Sequence, residues 1–124
     1  MKHGDTFIRK DRDKHLWIVL SDPLLDPDKV LLVNVTTING TKETACVLDV
    51  GDHPWIAYTS CVHYLKSEVT SHDLLCAAKD GGAFLLQEPL APSVLRRVLD
   101  GAAESIYLSL DRADILINQG LIDC

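Results

Sequence analysis

Two apolar runs decide the fold of this chain: residues 16–20, LWIVL, and residues 30–35, VLLVNV. Each run is short, rich in β-branched residues and apolar at almost every position, which is typical of a strand buried on both faces. Two turn sequences, Ser21-Asp22-Pro23 and Asp26-Pro27-Asp28, separate the runs. Proline disfavours helix in the residue before it, so both runs are predicted to be central strands of one sheet.

Shorter candidates flank these central strands. Further strands are predicted at residues 5–9, 44–50, 59–65 and 83–86. Asn39-Gly40 is a strong hairpin signal, so residues 44–50 are predicted to return beside the second central strand.

Helices are predicted mainly towards the C-terminal end. One is expected from about residue 72 to Lys79, one from Pro92, and a last one ending at Gly120. The helix that begins at Pro92 is predicted to bury one apolar stripe, formed by Leu95, Leu99, Ala102 and Ile106. The pattern predicts a mainly β, α+β fold in one domain, residues 1–124, with a small antiparallel barrel at about residues 4–88 and short C-terminal helices at about residues 92–120.

The composition limits the classes of function. The chain has 124 residues, of which 47% are hydrophobic, and a formal net charge of −6. That charge disfavours a broad non-specific grip on nucleic acid. Residues 1–15 are locally basic, however, with five Lys or Arg against three Asp. The N-terminal segment lacks the apolar region of a secretory signal, and the four cysteines form no C-x-x-C pair, so reduced thiols, a cytoplasmic location and no membrane partner are expected.

The basic segment supplies the first candidate site. It is grouped with two threonines that end a central strand, and the members of this candidate site are Arg9, Lys10, Arg12, Lys14, His15, Thr36 and Thr37. Phosphoryl chemistry on RNA needs cations to neutralise charge, a histidine for proton transfer and a hydroxyl to orient the phosphate. This cluster is therefore a candidate ribonuclease site.

Cysteine and histidine supply two other candidates. Zinc accepts thiolate, imidazole and carboxylate ligands, and the residues of these types in the middle of the chain are Cys46, Asp49, Asp52, His53, Cys61 and His63. Cys61 with His63 or His53 as its base is a candidate nucleophile. The turn Gly51-Asp52-His53-Pro54-Trp55 is a candidate binding surface around Trp55.

Three segments resemble the MazF, PemK and Kid toxins of bacterial toxin–antitoxin pairs. Gly4-Asp5 is similar to the Gly-Asp that opens the family's first strand, residues 15–21 to its second strand, and residues 33–37 to the strand that ends in an active-site Thr or Ser. The family's Arg-Pro pair is absent, and Lys14-His15 stands there instead. The resemblance implies an SH3-like barrel and a cofactor-free, metal-independent endoribonuclease of single-stranded RNA, which acts as a homodimer and is inhibited by an antitoxin.

The leading hypothesis is thus a toxin-like ribonuclease. Its predicted catalytic residues are His15 and either Thr36 or Thr37, and its predicted substrate-binding residues are Arg9, Lys10, Arg12 and Lys14. The main alternative is a non-enzymatic SH3-like module that binds a protein partner. A weaker alternative is a zinc-stabilised domain using Cys46, His53, Cys61 and His63.

Overall fold

The computed structural model describes residues 1–10, 15–38 and 43–123. The strands are Thr6–Arg9 (β1), Leu16–Val19 (β2), Val30–Thr37 (β3), Val47–Leu48 (β4), Ser60–Thr70 (β5) and Phe84–Gln87 (β6). The helices are His72–Asp80 (α1), Pro92–Glu104 (α2) and Leu110–Asn118 (α3).

The six strands form one antiparallel sheet in the order β4-β5-β3-β2-β1-β6, with β2 and β3 at its centre. The sheet curls into a half-barrel, and short helices complete the fold. The predicted mainly β, α+β class is therefore confirmed, as are the two apolar runs as central strands.

The neighbour of β3 differs from the prediction. β3 pairs along its length with β5, and from residues 44–50 only Val47 and Leu48 form a strand, which also pairs with β5. The Asp52 carboxylate accepts the Asp49 N–H at 2.8 Å, so a turn begins where the strand was predicted to continue. Asn39-Gly40 lies outside the described residues.

One face of the sheet, here called the helix face, packs under α2 and α3. Its core joins side chains of the central strands with apolar residues of both helices, including Ile18, Leu31, Val33, Val62, Val98, Leu99 and Leu116. The predicted stripe on α2 is correct at Leu99 and Ala102 but wrong at Ile106, which lies beyond the helix end and is 88% exposed. Helix α2 ends at Glu104 because the next residue, Ser105, has an extended backbone.

Gly101 allows α2 to approach the sheet closely. A Cβ atom at Gly101 would lie 2.5 Å from the Tyr64 hydroxyl and 2.7 Å from the Cys46 Cβ. The Tyr64 hydroxyl donates a hydrogen bond of 2.6 Å to the Val98 carbonyl on the same helix. The glycine that weakens the helix locally is thus required by the helix–sheet contact.

The opposite face of the sheet, here called the polar face, has a smaller apolar core. That core consists of Phe7, Trp17, Val19, Val30, Leu32 and Leu75, the last from α1. The side chains of Phe84 and Phe7 stack with their centroids 4.3 Å apart. In the part of the chain that the structure describes, no helix has both the length and the apolar character needed to cross a membrane.

Candidate functional site

The register of the sheet aligns four chemically active side chains across four strands. Ile8 pairs with Leu16, and Leu16 with Val35. Extending this register by one position brings His15 between Arg9 and Thr36, and Thr36 pairs with Cys61. Directly opposite residues of antiparallel strands lie about 4.5 to 5.5 Å apart at Cα. We call this set, Arg9, His15, Thr36 and Cys61, the cross-strand row.

The cross-strand row lies on the polar face. Successive side chains of a strand point to opposite faces, so Thr36 shares its face with Asn34, whereas Thr37 belongs to the helix face and is exposed. The two threonines that the sequence left equivalent are therefore separated. Only Thr36 is placed beside His15.

Arg9 is held by neighbouring side chains. Its two terminal nitrogens donate hydrogen bonds of 2.8 and 3.1 Å to the Glu68 carboxylate, and its guanidinium carbon lies 4.3 Å from the centroid of the Trp17 ring. The Arg9 side chain is only 11% exposed. Its charge is thus compensated by Glu68, unlike that of a phosphate-binding arginine free in solvent.

Of the other predicted cations, the structure describes Lys10. Lys10 is exposed directly after β1, and its N–H donates to the Ala83 carbonyl at 3.0 Å. Arg12 and Lys14 lie outside the described residues. Of the predicted substrate-binding residues, the structure thus places Arg9 in the cross-strand row. Lys10 is the residue that follows Arg9 in the chain.

The next row along the polar face contains unpaired polar groups. Trp17 pairs with Asn34, and Asn34 with His63. The indole Nε1 of Trp17 and the Oδ1 of Asn34 are buried, and neither has a hydrogen-bond partner among the described residues. A donor and an acceptor thus lie unused at adjacent positions, which is unusual for buried polar atoms.

A buried contact between His63 and Glu43 closes this second row. The Nε2 of His63 lies 3.2 Å from an oxygen of Glu43, whose carboxylate is only 3% exposed. Glu43 also accepts the backbone N–H groups of Tyr64 and Leu65 at 3.0 and 3.2 Å. These amides lie where β5 bulges away from β3, because the register shifts between Leu32 and Asn34. Glu43 therefore accepts hydrogen bonds from two backbone N–H groups of the bulge and holds the His63 ring in place.

The residues of the predicted zinc site lie in separate places. Cys61 and His63 are on the polar face, but Cys46 packs into the helix-face core, where burial raises the pKa of its thiol to about 11. His53 is bound elsewhere: its Nδ1 accepts the Trp55 N–H at 3.0 Å, and its Nε2 donates to the Glu88 carbonyl at 2.6 Å.

Within residues 1–10, 15–38 and 43–123, no three His, Cys, Asp or Glu side chains are grouped as metal ligands would be. The described structure does not bring the four residues of the predicted zinc site, Cys46, His53, Cys61 and His63, together. The three described cysteines, Cys46, Cys61 and Cys76, form no disulfide with one another.

The turn around Trp55 is tied to α2. Arg97 donates hydrogen bonds to the Asp52 carboxylate at 2.9 Å and to the Val47 carbonyl at 2.8 Å. The Asp49 N–H, with Arg97, holds the pKa of Asp52 below its usual value. Trp55 is half-buried and packs against the helix-face core. The turn thus has a clear structural role.

Sequence reasoning missed Glu43, Trp17 and Asn34 as members of this site. Asn34 is a polar residue within an otherwise apolar run, and this interruption is the one signal that could have indicated it. Glu43 is acidic in a polar segment, and nothing local predicts that it reaches β5. Comparisons with protein-family models, curated proteins and solved structures found no match to this chain.

Proposed function

We propose that this protein is a metal-independent endoribonuclease that cleaves single-stranded RNA, with His15 and Thr36 at the cleavage site. The observation that carries the proposal is the register of the sheet, which places His15 beside Thr36 on the polar face. The sequence resemblance to the MazF, PemK and Kid toxins supports the same chemistry.

Each group has a role in this reaction. The 2′-hydroxyl of the RNA attacks the adjacent phosphorus, and the bond to the 5′-oxygen breaks. His15 transfers a proton, because an imidazole can both accept and donate one. The Thr36 hydroxyl donates a hydrogen bond to a non-bridging oxygen as charge develops there. Arg9 orients the Trp17 ring next to the row.

The basic residues near β1 contribute to substrate binding in this proposal. Lys10 is exposed, and Arg12 and Lys14 lie in the segment that leads to His15. Their positive charges attract the RNA backbone locally despite the negative net charge of the chain. Binding should therefore weaken as the salt concentration rises.

The resemblance also supports a cytoplasmic homodimer controlled by an antitoxin protein. A non-enzymatic module that binds a protein partner is the second candidate, and one observation favours it. Ile106, between α2 and α3, and Leu110, the first residue of α3, are 88% and 85% exposed. Exposed apolar side chains of this size are found at protein-binding surfaces.

RNA cleavage with chelator present tests the proposal. The wild type should cut a long single-stranded RNA at discrete positions and leave 2′,3′-cyclic phosphate ends. His15→Ala and Thr36→Ala should each reduce the rate by about 100-fold or more. Thr37→Ala is the matched control, because Thr37 is on the other face, and it should cleave at the wild-type rate.

Two results would overturn the proposal. If the wild type leaves the RNA intact, the protein is not this nuclease, and capture of a protein partner through Ile106 and Leu110 becomes the next experiment. If Thr37→Ala is inactive while Thr36→Ala is active, the site is not on the polar face. Circular dichroism of each variant shows that a lost activity is not lost folding.

A further inference from the structure

The proposed cleavage moves two protons, and His15 can transfer only one of them at a time. A base must take the proton of the attacking 2′-hydroxyl, and an acid must protonate the departing 5′-oxygen. Efficient cleavage therefore needs a second group that titrates near neutral pH. On the strands of the described polar face, the other imidazole is that of His63.

His63 is at a suitable distance from His15. The two residues are separated by β3, and His63 lies one row further along the polar face, opposite Asn34. With strands about 4.8 Å apart and a rise of about 3.4 Å per residue, this placement puts the two Cα atoms about 12 Å apart. Thr36 lies between them, so a phosphate at Thr36 can be reached by an imidazole from each side.

The ring of His63 is oriented by Glu43. The carboxylate lies 3.2 Å from Nε2, so it accepts the Nε2 proton and leaves Nδ1 as the ring nitrogen that can take another proton. Glu43 is itself fixed by the N–H groups of Tyr64 and Leu65. A buried carboxylate that accepts a hydrogen bond from an imidazole and orients its ring is the arrangement of a positioned general base.

We infer that His63 is the second acid–base residue of this site and that Glu43 is its positioning residue. The inference rests on the proposed function. Nδ1 of His63 takes the proton of the 2′-hydroxyl, and the 2′-oxygen forms a bond to phosphorus. The bond from phosphorus to the 5′-oxygen breaks, and protonated His15 gives its proton to that oxygen. The products are a 2′,3′-cyclic phosphate and a 5′-hydroxyl, and exchange with water restores both histidines.

Cleavage kinetics of two variants test the inference. His63→Ala should lower kcat by about 100-fold. Glu43→Gln should lower kcat by about 10-fold with little change in KM, because a glutamine offers one acceptor oxygen to three N–H groups. His72→Ala is the matched histidine control, since His72 is on α1, away from both rows, and it should cleave at the wild-type rate.

A second readout does not depend on cleavage. Long-range proton–nitrogen NMR spectra distinguish the tautomers of a neutral histidine. The wild type should carry the His63 proton on Nε2, and Glu43→Gln should lose this preference. A His63 protonated on Nδ1 in the wild type would overturn the positioning role.

The outcomes separate the two claims. If the wild type cleaves RNA and His63→Ala cleaves equally well, the inference fails and the proposed function stands. If the wild type does not cleave, both fail as enzymatic claims, and the spectra alone decide whether Glu43 orients His63.

Discussion

Leu31 and Leu32 are neighbours in β3 and both are fully buried, but they face opposite sides of the sheet. Leu31 packs in the large core under α2 and α3. Leu32 packs in the smaller core of the polar face, where α1 contributes Leu75. The same strand therefore contributes side chains to two cores of very different size.

The two faces also differ in their buried polar groups. On the helix face, the Tyr64 hydroxyl is paired with the Val98 carbonyl at the contact with α2. On the polar face lie the ion pair Arg9–Glu68 and the contact between His63 and Glu43, together with two buried polar atoms that have no partner among the described residues. Buried charges cost free energy unless they are paired. The comparison indicates that the helix face provides most of the stability and that the polar face carries more of the costly buried polar groups.

Matched truncations of these two leucines test the comparison most strongly. Leu31→Ala should lower the free energy of unfolding by about 4 kcal/mol and Leu32→Ala by about 2 to 3 kcal/mol, because the loss increases with the packing around the deleted atoms. Urea denaturation followed by circular dichroism measures both values.

The exposed Leu24 is the control for this pair, and Leu24→Ala should change the free energy of unfolding by less than about 0.5 kcal/mol. An equal loss for Leu31→Ala and Leu32→Ala would show that the polar-face core contributes as much as the helix-face core. The proposed division between stability and function would then be incorrect.

The pKa of Cys46 tests how well the helix-face core excludes water. Burial raises the pKa of its thiol from 9.0 to about 11. Between these two values the unfolded chain loses the Cys46 proton and the folded chain keeps it, so stability is fully present below pH 9 and falls as the pH rises towards 11. A difference of two pH units corresponds to about 2 to 3 kcal/mol.

Unfolding at pH 8.5 and at pH 10.5, in the wild type and in Cys46→Ala, measures this loss. Other groups also titrate in this range, so the quantity of interest is the extra decrease in the wild type. The same decrease in both proteins would mean that water reaches Cys46 and that the helix face is less tightly closed than its packing indicates.

Much of the fold follows from local sequence. Residues 16–20 and 30–35 are apolar at nearly every position, and a strand at the centre of a sheet with both faces covered requires this pattern. The start of α2 at Pro92 also follows from local chemistry, since proline is favoured in the first turn of a helix.

Other features depend on contacts between distant segments. The pairing of β3 with β5 joins residues more than twenty positions apart. The local hairpin signal Asn39-Gly40 instead favours pairing of β3 with the segment next to it, and no other local signal opposes that pairing. Ile106 fits the helical period of α2, but the helix ends before it.

The candidate site was predictable in part. The sequence indicated Arg9, His15 and Thr36, and the structure places all three in one row. It could not distinguish Thr36 from Thr37, because that choice depends on which face of the sheet each side chain occupies. It also could not indicate that Glu68 neutralises Arg9, since the two residues meet only after the bulge in β5 shifts the register.

The last prediction concerns this Arg9–Glu68 pair. A double-mutant cycle with Arg9→Met and Glu68→Gln should give a coupling energy of about 1 kcal/mol, because the pair is bidentate and partly buried. The control is the exposed pair Arg96–Asp100 on α2, for which about 0.3 to 0.5 kcal/mol is expected. A coupling for Arg9–Glu68 no larger than that of the control would mean that Glu68 does not hold Arg9. The guanidinium would then be available to a phosphate, and the substrate-binding role predicted for Arg9 from the sequence would replace the positioning role argued from its contacts.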